Sequence, residues 1–161
     1  MEKIRYLFDW RVLLLGAGFL SIAFIVAILS NPSHPQIWEF IVIVSLFLLF
    51  LVLNFTYGTY GLLDKKKHTF SRTDYFCYTK RLNVKDIEAI YYRYTWVFGG
   101  PWRSLYIIGS ADGKEKIIDF PNVEWRERIL AQIAIDLRSL NSSIKFDSHT
   151  EALMKKYEKN S

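Results

Sequence analysis

One cysteine, four prolines and three histidines are all that this chain of 161 residues holds of the types that staple, break or ligate. The lone thiol, Cys77, excludes an internal disulfide and leaves no thiolate cluster for zinc. It stands in the aromatic stretch Tyr75-Phe76-Cys77-Tyr78, where a buried structural thiol is expected. His34, His68 and His149 lie far apart, and none has a second histidine or a cysteine at ligand spacing, so no metal site is expected. No G-x-S-x-G elbow, P-loop or dinucleotide fingerprint occurs. Gly99-Gly100-Pro101 reads as a turn, and Asp112, Glu115 and Asp119 read as solvated turn and strand positions rather than a carboxylate set. No catalytic residue and no cofactor are therefore expected, and the chain does not read as an enzyme.

Charge is missing from two long stretches, Val12–Ser30 and Phe40–Tyr57, separated by the linker Asn31-Pro32-Ser33-His34-Pro35-Gln36. A hydrocarbon core needs roughly 20 apolar residues as helix, and each stretch is near that length. The expectation is a transmembrane helical hairpin over 12–57, with spans 12–30 and 37–57. Lys3, Arg5 and Arg11 precede it, Lys65, Lys66, Lys67 and Arg72 follow it, and the linker carries neither Lys nor Arg. The bias of basic residues places both termini in the cytoplasm and the linker outside. No charge lies deep in either span, which disfavours a transporter or channel. The domain boundaries that follow are 1–11 (cytoplasmic N-terminus), 12–57 (hairpin), 58–147 (cytoplasmic domain) and 148–161 (polar tail).

The net charge of +5 is unevenly placed. Residues 1–57 balance three basic against three acidic groups, whereas Asp64–Arg93 carries eight against four. That later stretch is where an anionic surface would be met.

From Gly58 on, strand-like segments alternate with turn signals. His68–Thr73, Tyr75–Leu82, Asp86–Phe98, Trp102–Ser110 and Lys114–Phe120 read as strands, with a sixth at Gly58–Leu63. Asp112-Gly113 is a tight hairpin signal, because both central positions of the favoured turn need positive φ. Asn122 is positioned as an N-cap for a helix over Val123–Leu140, in which Trp125, Ile129, Ile133 and Leu137 recur every four residues.

This layout resembles the pleckstrin-homology-like (PH-like) fold, and in particular bacterial PH-like domains that follow transmembrane helices, a resemblance that implies a bacterial inner or plasma membrane. The resemblance rests on Arg81-Leu82-Asn83-Val84-Lys85-Asp86-Ile87-Glu88-Ala89-Ile90, the Asp112-Gly113 hairpin and the closing helix from Glu124 to Leu140. It covers roughly residues 64–141. The fold class expected is thus an α+β membrane protein: a two-helix transmembrane hairpin, then a PH-like antiparallel β-sandwich or partly open barrel capped by a C-terminal helix.

Such a module binds rather than catalyses. One expectation is a scaffold for protein interaction or membrane-complex assembly, with Trp96 and Trp102 as interface aromatics. A second is anionic-lipid sensing through a basic face made of Lys65, Lys66, Lys67, Arg72, Lys80, Arg81 and Lys85; the resemblance implies headgroup binding at a basic β1–β2 region. A subunit of a membrane enzyme or transporter is disfavoured. Expected partners are the bilayer, a protein, anionic headgroups and a second copy of the chain. Nucleic acid is disfavoured, because alternation along the strands buries about half the rings near Lys80, Arg81 and Arg93.

Overall fold

The computed structural model describes residues 3–7, 18, 21–22, 44–45, 49, 59–74, 78–97, 100–122 and 124–158. Two four-stranded sheets share one core. The first runs β1 (Lys3–Leu7), β2 (Tyr60–Asp64), β3 (Thr69–Asp74) and β4 (Tyr78–Asn83), all antiparallel neighbours in that order. A 3-10 turn at Val84–Asp86 leads into β5 (Ile87–Val97), β6 (Gly100–Ala111) and β7 (Lys114–Pro121). These form the second sheet in the order β7-β6-β5-β8, where β8 (Lys145–Phe146) pairs parallel to β5. Two helices follow β7: α1 (Glu127–Leu140) and, after β8, α2 (Ser148–Glu158).

The expected membrane architecture is overturned. Among the described residues no helix is long and apolar enough to cross a membrane. A span requires a continuous apolar helix of about 20 residues. The integral-membrane fold class and the inner-membrane location with cytoplasmic termini therefore lose their basis. Most of the hairpin at 12–30 and 37–57 lies outside the described residues, as do Cys77 and Val123.

Sequence reading assigns no element to the N-terminus, yet Lys3–Leu7 forms a strand of the first sheet. Its register, Lys3↔Asp64 through Leu7↔Tyr60, sets the two ends of the stretch 8–59 side by side. Tyr6 is buried, with its ring centroid 6.4 Å from that of Phe70. Its hydroxyl donates to Asp136 Oδ2 at 2.5 Å, tying β1 to α1. Burial, reinforced by that carboxylate, pushes the phenol well above its usual range.

The strands exist because Ile, Tyr, Phe and Trp crowd the pleated faces and alternate inward. Leu63, Phe70 and Leu82 from the first sheet meet Ile90, Tyr92, Leu105, Ile107, Ile118 and Phe120 from the second in a single apolar cluster. Asp112 (φ 55) and Gly113 (φ 71) make the β6–β7 turn, both left-handed as the primed turn requires.

α1 closes the core with Leu130, Ile133, Ala134 and Leu137, the three-and-four spacing of one helical face. It starts later than the sequence suggests, with Arg126 at the N-cap position. The carbonyl of Pro121 accepts from both Glu124 and Trp125 N–H at 3.0 Å, a tight turn that drops Trp125 into the core before the helix begins. Trp125 then meets Phe120 edge to face, with centroids 4.9 Å apart. Asn122, expected to cap the helix, instead donates its N–H to Arg103 O at 2.8 Å and holds β6.

Asp147 joins β8 to α2. Its Oδ1 accepts from Thr150 N–H at 2.8 Å, Thr150 Oγ1 at 2.5 Å and Tyr92 N–H at 3.3 Å. Burial pushes this carboxyl up, but the Thr150 and Tyr92 hydrogen bonds and Arg93 outweigh it, and the group sits below its ordinary value of 3.8. Its contribution is therefore present above that value and lost as pH falls through the lowered one. Asp147→Ala removes a helix cap and leaves Tyr92 N–H unpaired, an expected loss of about 1–2 kcal/mol in urea unfolding. An effect below about 0.5 kcal/mol would show the cap to be dispensable.

Candidate functional site

The seven basic residues singled out from sequence do not form one face. Lys66, Lys67 and Lys85 are exposed at one end of the molecule, with Lys65 half-buried beside them. Arg81 is exposed along β4. Arg72 and Lys80 turn toward carboxylates. Arg72 is buried, with Nε 2.9 Å from Asp74 Oδ1 and Nη2 3.2 Å from Glu124 Oε2, and Nη1 donates to the carbonyl of Asp119. Lys80 Nζ lies 3.7 Å from Asp119 Oδ1. These two cations bind β3 and β4 to β7 and to the loop before α1, so their charge is spent inside the fold.

The exposed end is a cleft of about 550 Å³ between the β2–β3 turn, the 3-10 turn and the end of α1. Lys67, His68, Lys85, Asn141 and Ser143 line it. Its walls are fixed by hydrogen bonds within the protein. Lys67 N–H donates to Asp64 Oδ1 at 3.0 Å, which holds that carboxyl below its ordinary value. The His68 carbonyl accepts from Val84 N–H at 2.8 Å. His68 itself has φ 49, in the left-handed region that few non-glycine residues adopt. Asn141 Nδ2 donates to Val84 O at 2.9 Å, and its Oδ1 accepts from Ser143 N–H and Oγ at 3.0 and 2.6 Å.

A second surface lies on the β5–β6 hairpin. Its pairing runs as far as Val97↔Gly100, whereas β7 begins to pair with β6 only at Ser104↔Pro121. The far part of the ribbon therefore has no third strand on the β6 side among the described residues. On the β5 side, β8 pairs only with Ala89 and Ile90, and Asp147 then accepts from Tyr92 N–H. Backbone groups alternate in direction along an antiparallel strand. Tyr94 and Trp96 therefore present their N–H and C=O to the same side as Tyr92, where no strand is described.

An open cleft of about 400 Å³ lies against that edge, bounded by Tyr94, Arg93, Arg103, Asp147 and His149. Arg103 stacks over the Tyr94 ring at 4.8 Å and donates from Nη2 to its hydroxyl at 3.1 Å. Arg93 lies 4.3 Å over Tyr91, with its Nε 3.6 Å from Asp147 Oδ2. Beneath them the buried Tyr92 hydroxyl donates to Glu127 Oε1 at 3.2 Å, and burial followed by that carboxylate pushes it up to about 12. Glu127 is itself held below its ordinary value by Lys156 Nζ at 2.7 Å. Trp102 stands 38% and Tyr94 66% exposed. Trp96 pairs with Pro101, and its side chain lies outside the described residues.

Sequence reading singles out the two tryptophans here but misses Arg103, Asp147 and His149. The Asp147 signal was present as a capping residue ahead of a short polar helix. Among the described residues no group of three or more His, Cys, Asp or Glu is placed to hold a metal. The chain matches no protein-family model, no curated protein and no solved structure.

Proposed function

We propose that this chain is a PH-like binding module that acts in protein interaction, taking up an extended acidic segment of a partner along the edge of β5 that no described strand covers. The PH-like reading is supported by an antiparallel four-stranded sheet in chain order, a three-strand meander and a helix over the core. The observation that carries the function is the β5 edge at Tyr94–Trp96, whose outward backbone groups border a cleft flanked by Arg93 and Arg103. An added strand would satisfy those groups, as in β-augmentation. The one acidic residue of the cleft wall, Asp147, is already bonded to Thr150, Tyr92 and Arg93, so the charge left to a partner is positive.

An alternating Glu-Val peptide is the direct probe. Its binding is expected to protect the Tyr94 and Trp96 amides from hydrogen exchange and to weaken as salt is raised. Arg103→Glu should weaken it at least about tenfold, since it replaces an attraction with a repulsion. Binding without amide protection, or undiminished in Arg103→Glu, would overturn the reading. Self-association that protects the same amides would assign the edge to a second copy of the chain instead.

A further inference from the structure

We infer that the cleft between the β2–β3 turn and the end of α1 is a site for a phosphate-bearing small anion. Three groups that carry or can take a positive charge, Lys67, His68 and Lys85, converge on it from two separate turns. All three are exposed. The carboxylates on those turns are already engaged. Asp64 accepts from Lys67 N–H and lies 3.8 Å from Lys3 Nζ, and Asp86 Oδ2 accepts from Asn83 Nδ2 at 2.8 Å. The polar side chains of the floor are likewise engaged, Asn141 with Val84 O and Ser143 with Asn141 Oδ1. The cations are thus the groups left to meet a ligand.

The α1 C-terminus, at the dipole's negative end, also borders the cleft. Asn141 ends the helix there, its N–H returning to Leu137 O at 2.9 Å and its side-chain amide reaching across to Val84. Asp64 is paired with Lys3, and Lys66, Lys67 and Lys85 together outweigh that half-charge and the Asp86 carboxylate, so the balance favours an anion. A volume near 550 Å³ accommodates a phosphate together with the group that bears it. His68 is held by its left-handed turn and by the Val84 contact, so one donor stands on a fixed backbone rather than on a mobile loop. This cleft lies apart from the β5 edge and shares no residue with it.

Inorganic phosphate, pyrophosphate and glycerol phosphate titrated into the full chain test the assignment by calorimetry and by amide shifts of residues 66–68 and 84–86. Saturable binding is expected, tighter for pyrophosphate and weaker at high salt. Lys67→Gln and Lys85→Gln should each weaken it about tenfold, the size of one lost charge-assisted contact. Lys114→Gln, at the start of β7, should leave it unchanged. Vesicles of phosphatidylcholine with phosphatidic acid identify the source: lysine-dependent binding there but not to glycerol phosphate assigns a lipid headgroup, and the reverse assigns a free phosphorylated molecule. Because both lysines are exposed, both variants should retain the wild-type melting temperature. No binding to any of these probes, or equal weakening by all three lysine variants, overturns the site.

Discussion

Arg72→Met is expected to lower the unfolding free energy by about 3 kcal/mol. The guanidinium is in contact with Asp74, the Asp119 backbone and Glu124, which come from three different segments, and it lies 5.4 Å over the Phe120 ring. Methionine fills much of the same volume but leaves Asp74, Asp119 and Glu124 facing one another without a cation at their centre. Breaking a buried ion pair from one side costs about 3–5 kcal/mol. The lower end applies because Asp119 and Glu124 keep 42% and 29% of their side-chain surface. A double variant with Glu124→Gln should recover part of the loss, since the two share one network.

The deficit should also depend on pH, in a direction set by Glu124. Burial raises this carboxyl above its ordinary 4.5, outweighing the pull of Arg72, and Asp74 and Asp119 push the same way. A raised acid gives a contribution that is full below its ordinary value and is lost as pH rises through its value in the folded protein. Without Arg72 that value rises further, so the variant should recover relative to wild type between pH 7 and pH 5. Urea unfolding of both proteins at those two pH values measures this. A deficit that is equal at both, or below about 1 kcal/mol, would mean that the network is solvated and contributes little.

Gly109→Ala is the second large effect, expected to cost about 2–3 kcal/mol. Its origin is contact rather than backbone freedom. A methyl group at this position would lie 2.5 Å from the Asp86 carbonyl oxygen and 3.1 Å from Ile87 Cα, both backbone atoms. Here β5 enters the sheet, Gly109 faces Ile87, and the register shifts before Ala89 meets Ile108. No side chain can rotate away, so the 3-10 turn or the start of β5 must move. Thermal melting reads the loss. The amide shifts of Val84–Asp86 locate it, and because Lys85 rides on that turn, phosphate binding should weaken in parallel. An alanine variant with wild-type stability would show that the turn yields without cost.

Much of the second sheet was legible because its signals are local. β5 announces itself by Ile90, Tyr91, Tyr92, Tyr94 and Trp96, and the β6–β7 turn by Asp112-Gly113. The inner stripe of α1 followed from spacing, while its start did not: the turn at Pro121 that buries Trp125 depends on Phe120 being in place. β1 was missed although Ile4 and Tyr6 alternate with polar residues, because five residues give a weak pattern and the partner strand lies more than fifty positions away. The basic face failed for a related reason. Charge counts along the chain do not reveal that Arg72 and Lys80 face Asp119, which β7 supplies from another sheet. Similarly, the β5 edge depends on where β7 and β8 stop, and only the assembled sheet shows that.

The antiparallel pair of β1 and β2 gives the molecule a mechanical polarity. Leu7 and Tyr60 face each other at the ends of the stretch 8–59. Drawing Leu7 and Tyr60 apart therefore opens the cross-strand pairs in succession, instead of loading them together in shear. Peeling starts at Leu7↔Tyr60, where Arg5 stacks 4.1 Å over the Tyr60 ring, and reaches Tyr6↔Gly61 next, where the phenol is anchored on Asp136. Lys3↔Asp64, with its ion pair at 3.8 Å, is the last pair to part, so the strand leaves one pair at a time.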